Sequence, residues 1–388
     1  MWSLLKKDRF LLILMVGLPL LGLLSCRHSI DPEASIRFDV AVQVVDSSYI
    51  TRTIFGQEAV PGARVTLQDI RTRTRYSAKT GPNGVAVIKN LLPEIYNCEI
   101  QREYPADTVL QYLSLDQSLY LTGSLSSLEI TSPADSFSVN VKAVSSVPFL
   151  ISEIFYNGSP PPPPLYFHDQ FTEIYNNSTD TMYLDSYAIA DIDYGYRDDP
   201  DYVYCIHLYK FPGNGQDYPV APGEAVVIAQ DAEDHTIKNA NSLNLSGADF
   251  EYYNHLSSDI DNPFVPNMIQ IHHKYGFDFL YSVMNDAIVL LHFSEEDTLE
   301  YGPFNLLKVP KNWVVDGVEY KEDIGNLEYK RLSDDIDAGL CGGMPAYQGK
   351  SVARKVFKTV NGQKILMDHN NSFIDFETMN TPTPGEIQ

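Results

Sequence analysis

From Arg37 onward, hydrophobic positions fall two apart. Phe38, Val40, Val42 and Val44 alternate with Asp39, Ala41, Gln43 and Val45, the period of a half-buried strand. A turn at Pro61-Gly62 feeds a strand at Val65-Thr66-Leu67, and Asn83-Gly84 predicts a hairpin because both residue types tolerate positive φ. Further strands are expected at 108–115, 119–130 and 136–144. A boundary is expected at Val147-Pro148. A second series follows at 149–158, 171–178, 184–191, 221–229, 285–291 and 314–320. Pro160 to Pro164 read as extended polyproline II on the surface. Short strands separated by turns predict an all-β fold. The expected architecture is two β-sandwiches in tandem, 37–146 and 147–388, with a long loop insertion at 230–284.

The first 36 residues read differently. Lys6, Lys7 and Arg9 precede an almost wholly apolar stretch, Phe10 to Leu24, and Leu23-Leu24-Ser25-Cys26 closes it. A basic start, an apolar core and a small residue before the break are the parts of an export signal. The alternative, an uncleaved single-span anchor, needs about 20 apolar residues, and this core is shorter. The stretch resembles the bacterial lipoprotein signal, with Leu23 and Ser25 at the typical places. The resemblance implies cleavage after residue 25, a diacylglyceryl group on Cys26, and a lipidated tether over 26–36. Each buried acyl methylene contributes about 0.8 kcal/mol to anchoring.

Two further resemblances bear on the folded part. Residues 38–101, through Pro61-Gly62-Ala63-Arg64-Val65-Thr66-Leu67, the segment Thr80 to Pro93 and Tyr96, resemble carboxypeptidase-regulatory-like and collagen-adhesin B-type domains. Those are prealbumin-like sandwiches that serve as spacers or docking modules. Between 150 and 386 the motifs run in order: Ile151-Ser152-Glu153-Ile154, Glu173 to Ser178, Leu184 to Asp191, Pro222-Gly223-Glu224, Asp286 to Leu290, Asp316 to Tyr320 and Pro382-Thr383-Pro384-Gly385. That order resembles the lamin-tail domain, an immunoglobulin-like sandwich. The whole arrangement is similar to a Gram-negative lipoprotein family of unknown function. Within these motifs Glu173, Asp185 and Asp316, with Asp169 beside them, are read as structural hydrogen-bonding groups.

Composition narrows the function classes. Apolar residues make up 44% and aromatics 12%, enough for packed cores. The chain carries −23; the segment ahead of Cys26 holds Lys6, Lys7, Asp8 and Arg9, a net +2, so the remainder is near −25. Such charge disfavours nucleic acid and anionic headgroups. Cys98, Cys205 and Cys341 lie far apart without CxxC spacing, which argues against a zinc site or a disulfide scaffold and leaves one disulfide open.

Three clusters invite chemistry. Asp191, Asp193, Asp198, Asp199 and Asp201 crowd around Gly195 and begin like a calcium loop, the one cofactor the sequence suggests. The twelfth position is Tyr202 rather than Glu, and a solvated acidic loop is the alternative. His272-His273 sit on a strand-like run, where neighbours face opposite ways and cannot chelate one ion together; ligation of a metal or haem through one of them is the alternative. Gly349-Lys350-Ser351 lacks the first glycine of a phosphate loop. Tyr194, Tyr196, Tyr202, Tyr204, Tyr252 and Tyr253 are candidate ligand-binding tyrosines, because Tyr gives broad amphipathic contact at low entropic cost. Core or strand packing is their alternative. No nucleophile or metalloprotease motif is present.

The expectation is a non-enzymatic binding lipoprotein of the outer membrane, facing the cell surface or the periplasm. Its recognition face would be the proline run with 165–170, the acidic loop 191–201 and 230–284. A protein or glycan would be the ligand. The competing expectation is ligand capture, of a nutrient or of iron or haem, for an outer-membrane transporter.

Overall fold

A computed structural model describes residues 37–114, 119–132, 135–143, 149–162, 165–293, 299–360 and 362–388. Cys26, the export signal and the tether lie outside the described residues, as does the expected boundary at Val147-Pro148.

The first seven strands are β1 (Phe38–Asp46), β2 (Arg64–Asp69), β3 (Arg75–Lys79), β4 (Val85–Leu91), β5 (Glu94–Tyr104), β6 (Leu119–Ile130) and β7 (Ser136–Ala143). Their hydrogen-bonded order is β3-β2-β5-β6-β7-β1-β4, antiparallel except for β1 with β7. The alternation read from sequence is obeyed: Val40, Val42 and Val44 are fully buried. They join Val65, Leu67, Tyr96, Ile100 and Val141 in one core. Asn83-Gly84 does form a turn, with Gly84 at φ 73°. It is a corner rather than a hairpin, since β3 pairs with β2 and β4 with β1. A Cβ at Gly84 would lie 2.9 Å from the Val44 carbonyl oxygen, so the corner needs glycine for space as well as for φ.

The expected strand at 108–115 is a helix, α2 (Ala106–Leu113), and a second helix, α1 (Ile50–Phe55), was not foreseen. Pro105 at the cap and Asp107 in the first turn favour a helix start, and Val109 packs into the core. A short apolar run cannot distinguish the two states by periodicity alone.

The larger part builds two facing sheets. One contains β8 (Phe149–Phe155), β9 (Phe171–Asn176), β14 (Ala225–Ala229), β15 (Phe250–Glu251), β22 (Ser351–Arg354) and β25 (Phe376–Met379), in the order β15-β14-β9-β8-β22-β25. The other contains β11 (Tyr187–Ile192), β12 (Tyr202–Lys210), β16 (Ile269–His273), β17 (Asn285–His292), β18 (Glu300–Tyr301), β19 (Leu307–Pro310), β20 (Val314–Lys321) and β21 (Cys341–Gly342). Its order is β18-β19-β12-β11-β17-β20-β21, with β16 also on β12. Two short pairs flank them: β10 (Met182–Tyr183) with β13 (Pro219–Val220), and β23 (Val356–Val360) with β24 (Gln363–Leu366). Phe149, Ile151, Ile154, Ile189, Ile228, Ile288 and Val318 fill the space between the sheets. The chain is an all-β sandwich fold.

The ordered motifs meet in space. Glu153 on β8 accepts hydrogen bonds from Ser351, from the Thr383 amide at 3.1 Å and from the Thr383 hydroxyl at 2.9 Å. Glu173 on β9 accepts from Ser152 and from the Gly385 amide, both at 2.7 Å. Two buried carboxylates thus hold the terminal Pro-Thr-Pro-Gly segment against the sandwich. Asp185 accepts the amides of Gly215, Asp217 and Tyr218. Asp316 accepts the Ile151 amide and a two-pronged contact from Arg354.

The insertion 230–284 does more than loop out. It adds an edge strand to each sheet, β15 on β14 and β16 on β12. It also sends Phe250, Tyr252, Met268, Phe279 and Tyr281 into the shared core. The proline run contains a cis peptide between Pro161 and Pro162, where extended polyproline II was expected. Asn241 Nδ2 donates to the carbonyls of Pro160 and Pro162, tying the run to the insertion.

Residues Arg37–Gln388 form one compact unit. Ser124 donates to the His369 carbonyl at 3.0 Å, Asn371 Nδ2 to Ser126 at 2.9 Å, and Arg73 lies 4.1 Å over the Phe373 ring. The 368–373 segment therefore docks on β6 of the first sheet.

Candidate functional site

The five aspartates of the acidic loop do not converge. Asp191 is buried on β11 and accepts from the His207 amide at 2.6 Å, with His207 Nδ1 3.0 Å away. Asp193 caps the Gly195 amide, and Asp199 accepts from the amides of Asp201 and Tyr202 and from the Tyr204 hydroxyl. Asp198 and Asp201 complete the loop without joining a shared site. Asp193 and Asp199 satisfy local backbone donors, as Asp does in turns. Of the candidate tyrosines, Tyr194 is exposed, Tyr196 stacks on Tyr204 at 4.3 Å, and Lys308 sits 3.9 Å over Tyr202. Tyr253 is half-buried, and Tyr252 is a core residue whose hydroxyl lies 3.1 Å from that of Tyr281. His272 and His273 diverge as strand neighbours must: His272 packs on Tyr301, while His273 Nδ1 meets the Tyr209 hydroxyl.

A different cluster does converge. His168 comes from the β8–β9 connection, Asp231 from just beyond β14, and Asp278 from the β16–β17 connection. One ligand atom from each lies within 4.8 Å of the others, and among the described residues no other trio of His, Cys, Asp or Glu does so. His168 Nδ1 is 2.7 Å from Asp278 Oδ2. That hydrogen bond raises the histidine above its usual range and lowers Asp278, the signature of an ion pair. Asp231 is pushed up to about 8, first by burial and then by Asp259 and Asp278. Asp259 is pushed up to about 7, again mainly by burial, with the Asp278 charge adding to it. Asp231 Oδ1 is buried with no hydrogen-bond partner.

The surroundings hold Asp231 in place. His235 is fully buried, and burial lowers its pKa. Its Nε2 is 2.9 Å from the Asp231 carbonyl, which can only accept, so Nε2 carries the proton. Nδ1 then accepts from the Tyr166 hydroxyl at 2.9 Å. Asp169 accepts from Ser159 and Ser242, linking the proline run to the insertion. Asn262 Nδ2 donates to the Ala232 carbonyl, and Glu251 accepts the amides of Ala232 and Asn262. These loops are cross-braced.

Residues 221–383 match the DUF4876 family model. That family is described as proteins of unknown function. The DUF4876 match begins at the Pro222-Gly223-Glu224 turn and includes Asp231, Asp259 and Asp278; His168 precedes it. A crystal structure of a DUF4876 family protein from Bacteroides thetaiotaomicron superposes with a TM-score of 0.55 at 24% identity, covering 90% of this chain and 96% of that one. The two share a fold. A cohesin–X-dockerin complex from Acetivibrio cellulolyticus matches 28% of this chain and 58% of its own at 17% identity and a TM-score of 0.18, which does not amount to a shared fold. No curated protein matches. The matched segment also carries the most exposed apolar side chains among the described residues. Of the five most exposed large hydrophobics among the described residues, Ile237 (83%), Leu256 (77%), Phe264 (92%) and Phe277 (69%) lie in 230–284. The fifth, Phe304, has its carbonyl bonded by Lys274.

His168, Asp231 and Asp278 were not singled out from sequence. They lie 63 and 47 positions apart, so no ligand spacing marks them. The one available signal was that two of the three loops assigned to recognition, 165–170 and 230–284, each carry His and Asp.

Proposed function

We propose that this chain is a non-catalytic lipoprotein of the outer membrane, anchored through Cys26, whose 157–170 and 230–284 loops form a docking face for a protein partner. The observation that carries the reading is the concentration of highly exposed apolar side chains on a cross-braced loop cluster. Soluble surfaces avoid such clusters unless they are covered, and large apolar anchors on a rigid base supply most interface energy. The sheet of β1–β7 stands between the anchor and these loops in chain order, and so serves as a spacer. A protein partner suits these apolar tips better than a glycan does, since aliphatic side chains such as Ile237 and Leu256 offer no hydrogen bond to sugar hydroxyls.

The test is site-specific photocrosslinking in living cells. A photoreactive residue at Phe264 or Phe277 is expected to capture the same protein, whereas one at exposed Lys89 on β4 is not. Phe264→Asp is expected to abolish capture from position 277. Equal yields from all three positions, or no capture at either loop position, would remove the docking reading. Release of the full chain from membranes by Cys26→Ser tests the anchor separately.

A further inference from the structure

We infer that His168, Asp231 and Asp278 form a binding site for one divalent transition ion of the zinc or manganese kind, which clamps three interstrand connections together. The inference does not depend on what those loops dock against. Two independent observations meet here. The first is convergence of an imidazole and two carboxylates within 4.8 Å from three separate connections. The second is Asp231, only 2% exposed, with a buried oxygen that has no hydrogen-bond partner. A buried carboxylate oxygen without a donor costs free energy, and a bound cation is the partner that removes the cost.

The donor set selects the ion. An imidazole nitrogen with carboxylate oxygens suits zinc and manganese, whereas calcium takes six to eight oxygens and magnesium keeps its waters. No thiol is near, so soft-metal chemistry is absent from the set. Zinc holds N and O ligands at about 2.0–2.2 Å, so the three groups must draw together on binding. The His168 side chain is 35% exposed, so solvent reaches it. In the metal-free state its Nδ1 binds Asp278. On binding, that contact gives way, the imidazole releases its proton, and both aspartates ligate as carboxylates. The His235–Asp231 hydrogen bond fixes the ligand's backbone from behind, a supporting contact of the sort that tunes metal affinity.

The experiment uses the purified full chain, stripped with EDTA and dialysed. Titration calorimetry with zinc, manganese and calcium chlorides gives affinity and stoichiometry, and elemental analysis after desalting gives the retained metal. The expected result is one equivalent of zinc or manganese, at least tenfold weaker binding in Asp231→Asn and in His168→Gln, and unchanged binding in His255→Gln. His255 is exposed and outside the trio. The ion should raise the melting temperature of the natural chain and not of the two variants. Metal-free melting curves check that His168→Gln and Asp231→Asn both fold. Retention of no ion, binding of calcium alone, or equal binding by the natural chain and both variants would overturn the site.

Discussion

Arg354 is the most constrained cation in the sandwich, and removing its head group gives a sharp test of the packing argument. The guanidinium donates to Asp316 Oδ1 at 2.8 Å and Oδ2 at 2.7 Å, to the Ile151 carbonyl at 3.0 Å and to the Met367 carbonyl at 2.8 Å. Asp375 lies 3.7 Å away and Phe376 stacks on it at 4.7 Å. Pair and partner are both buried, and the neighbouring aspartates keep the arginine protonated. Arg354→Met retains the aliphatic stem and strands Asp316 among apolar strands. Breaking a buried pair from one side costs about 3–5 kcal/mol, whereas replacing both members by apolar side chains is close to neutral. Unfolding entropy of about 2.1 cal/mol/K per residue over roughly 350 residues converts 3–5 kcal/mol into a fall of about 4–7 °C. Urea unfolding of Arg354→Met, Asp316→Leu and the double variant supplies the cycle. The double variant is expected to recover most of the loss. The deficit of Arg354→Met should also shrink on acidification from pH 7 towards 4. A stranded Asp316 has a raised folded pKa, so its contribution is restored below the unfolded value near 3.9 and lost as pH rises. A single-variant cost under 1 kcal/mol, or a double variant as poor as the two losses together, would refute the reasoning.

Two further outcomes follow from buried groups. Burial pushes Glu173 up to about 7 from 4.5, against the opposing hydrogen bonds of Ser152 and Gly385. Its contribution is therefore complete below about 4.5 and is lost as pH rises through 7, by at most about 3 kcal/mol. Melting curves of Glu173→Gln should gain on the natural chain between pH 5 and pH 8, and a gap that moves the other way would contradict this. Cys98, Cys205 and Cys341 are free and buried, and burial raises each thiol, Cys98 to about 12. A thiol reagent at pH 7.5 should label none of them in the folded chain and all three in guanidinium; rapid labelling of the folded chain would be inconsistent with the packing described.

How much of this was legible beforehand follows from the range over which each signal acts. The period of two at Phe38 to Val44, the turns at Pro61-Gly62 and Asn83-Gly84, and the strands at 149–155, 171–176 and 285–292 are local, and side-chain alternation reports them directly. The order of motifs from Ile151 to Gly385 was legible too, because each places a carboxylate or a turn at a defined step along a strand. Local pattern failed where two states share it: the apolar run at 106–113 became a helix once α2 could bury Val109. It also failed where the partner is remote. The β3–β4 corner looks like a hairpin until β2 and β1 claim its strands, and 230–284 looks like a loop until its edge strands reach both sheets. The acidic loop drew attention because its aspartates are neighbours in sequence, yet Asp191, Asp193 and Asp199 each turn to separate backbone amides. His168, Asp231 and Asp278 are far apart in sequence and meet only because three connections close over one end of the sandwich. Chain-local chemistry sets strands, turns and caps; convergence of distant side chains depends on the closed sheets, whose packing brings connections together that no spacing can reveal.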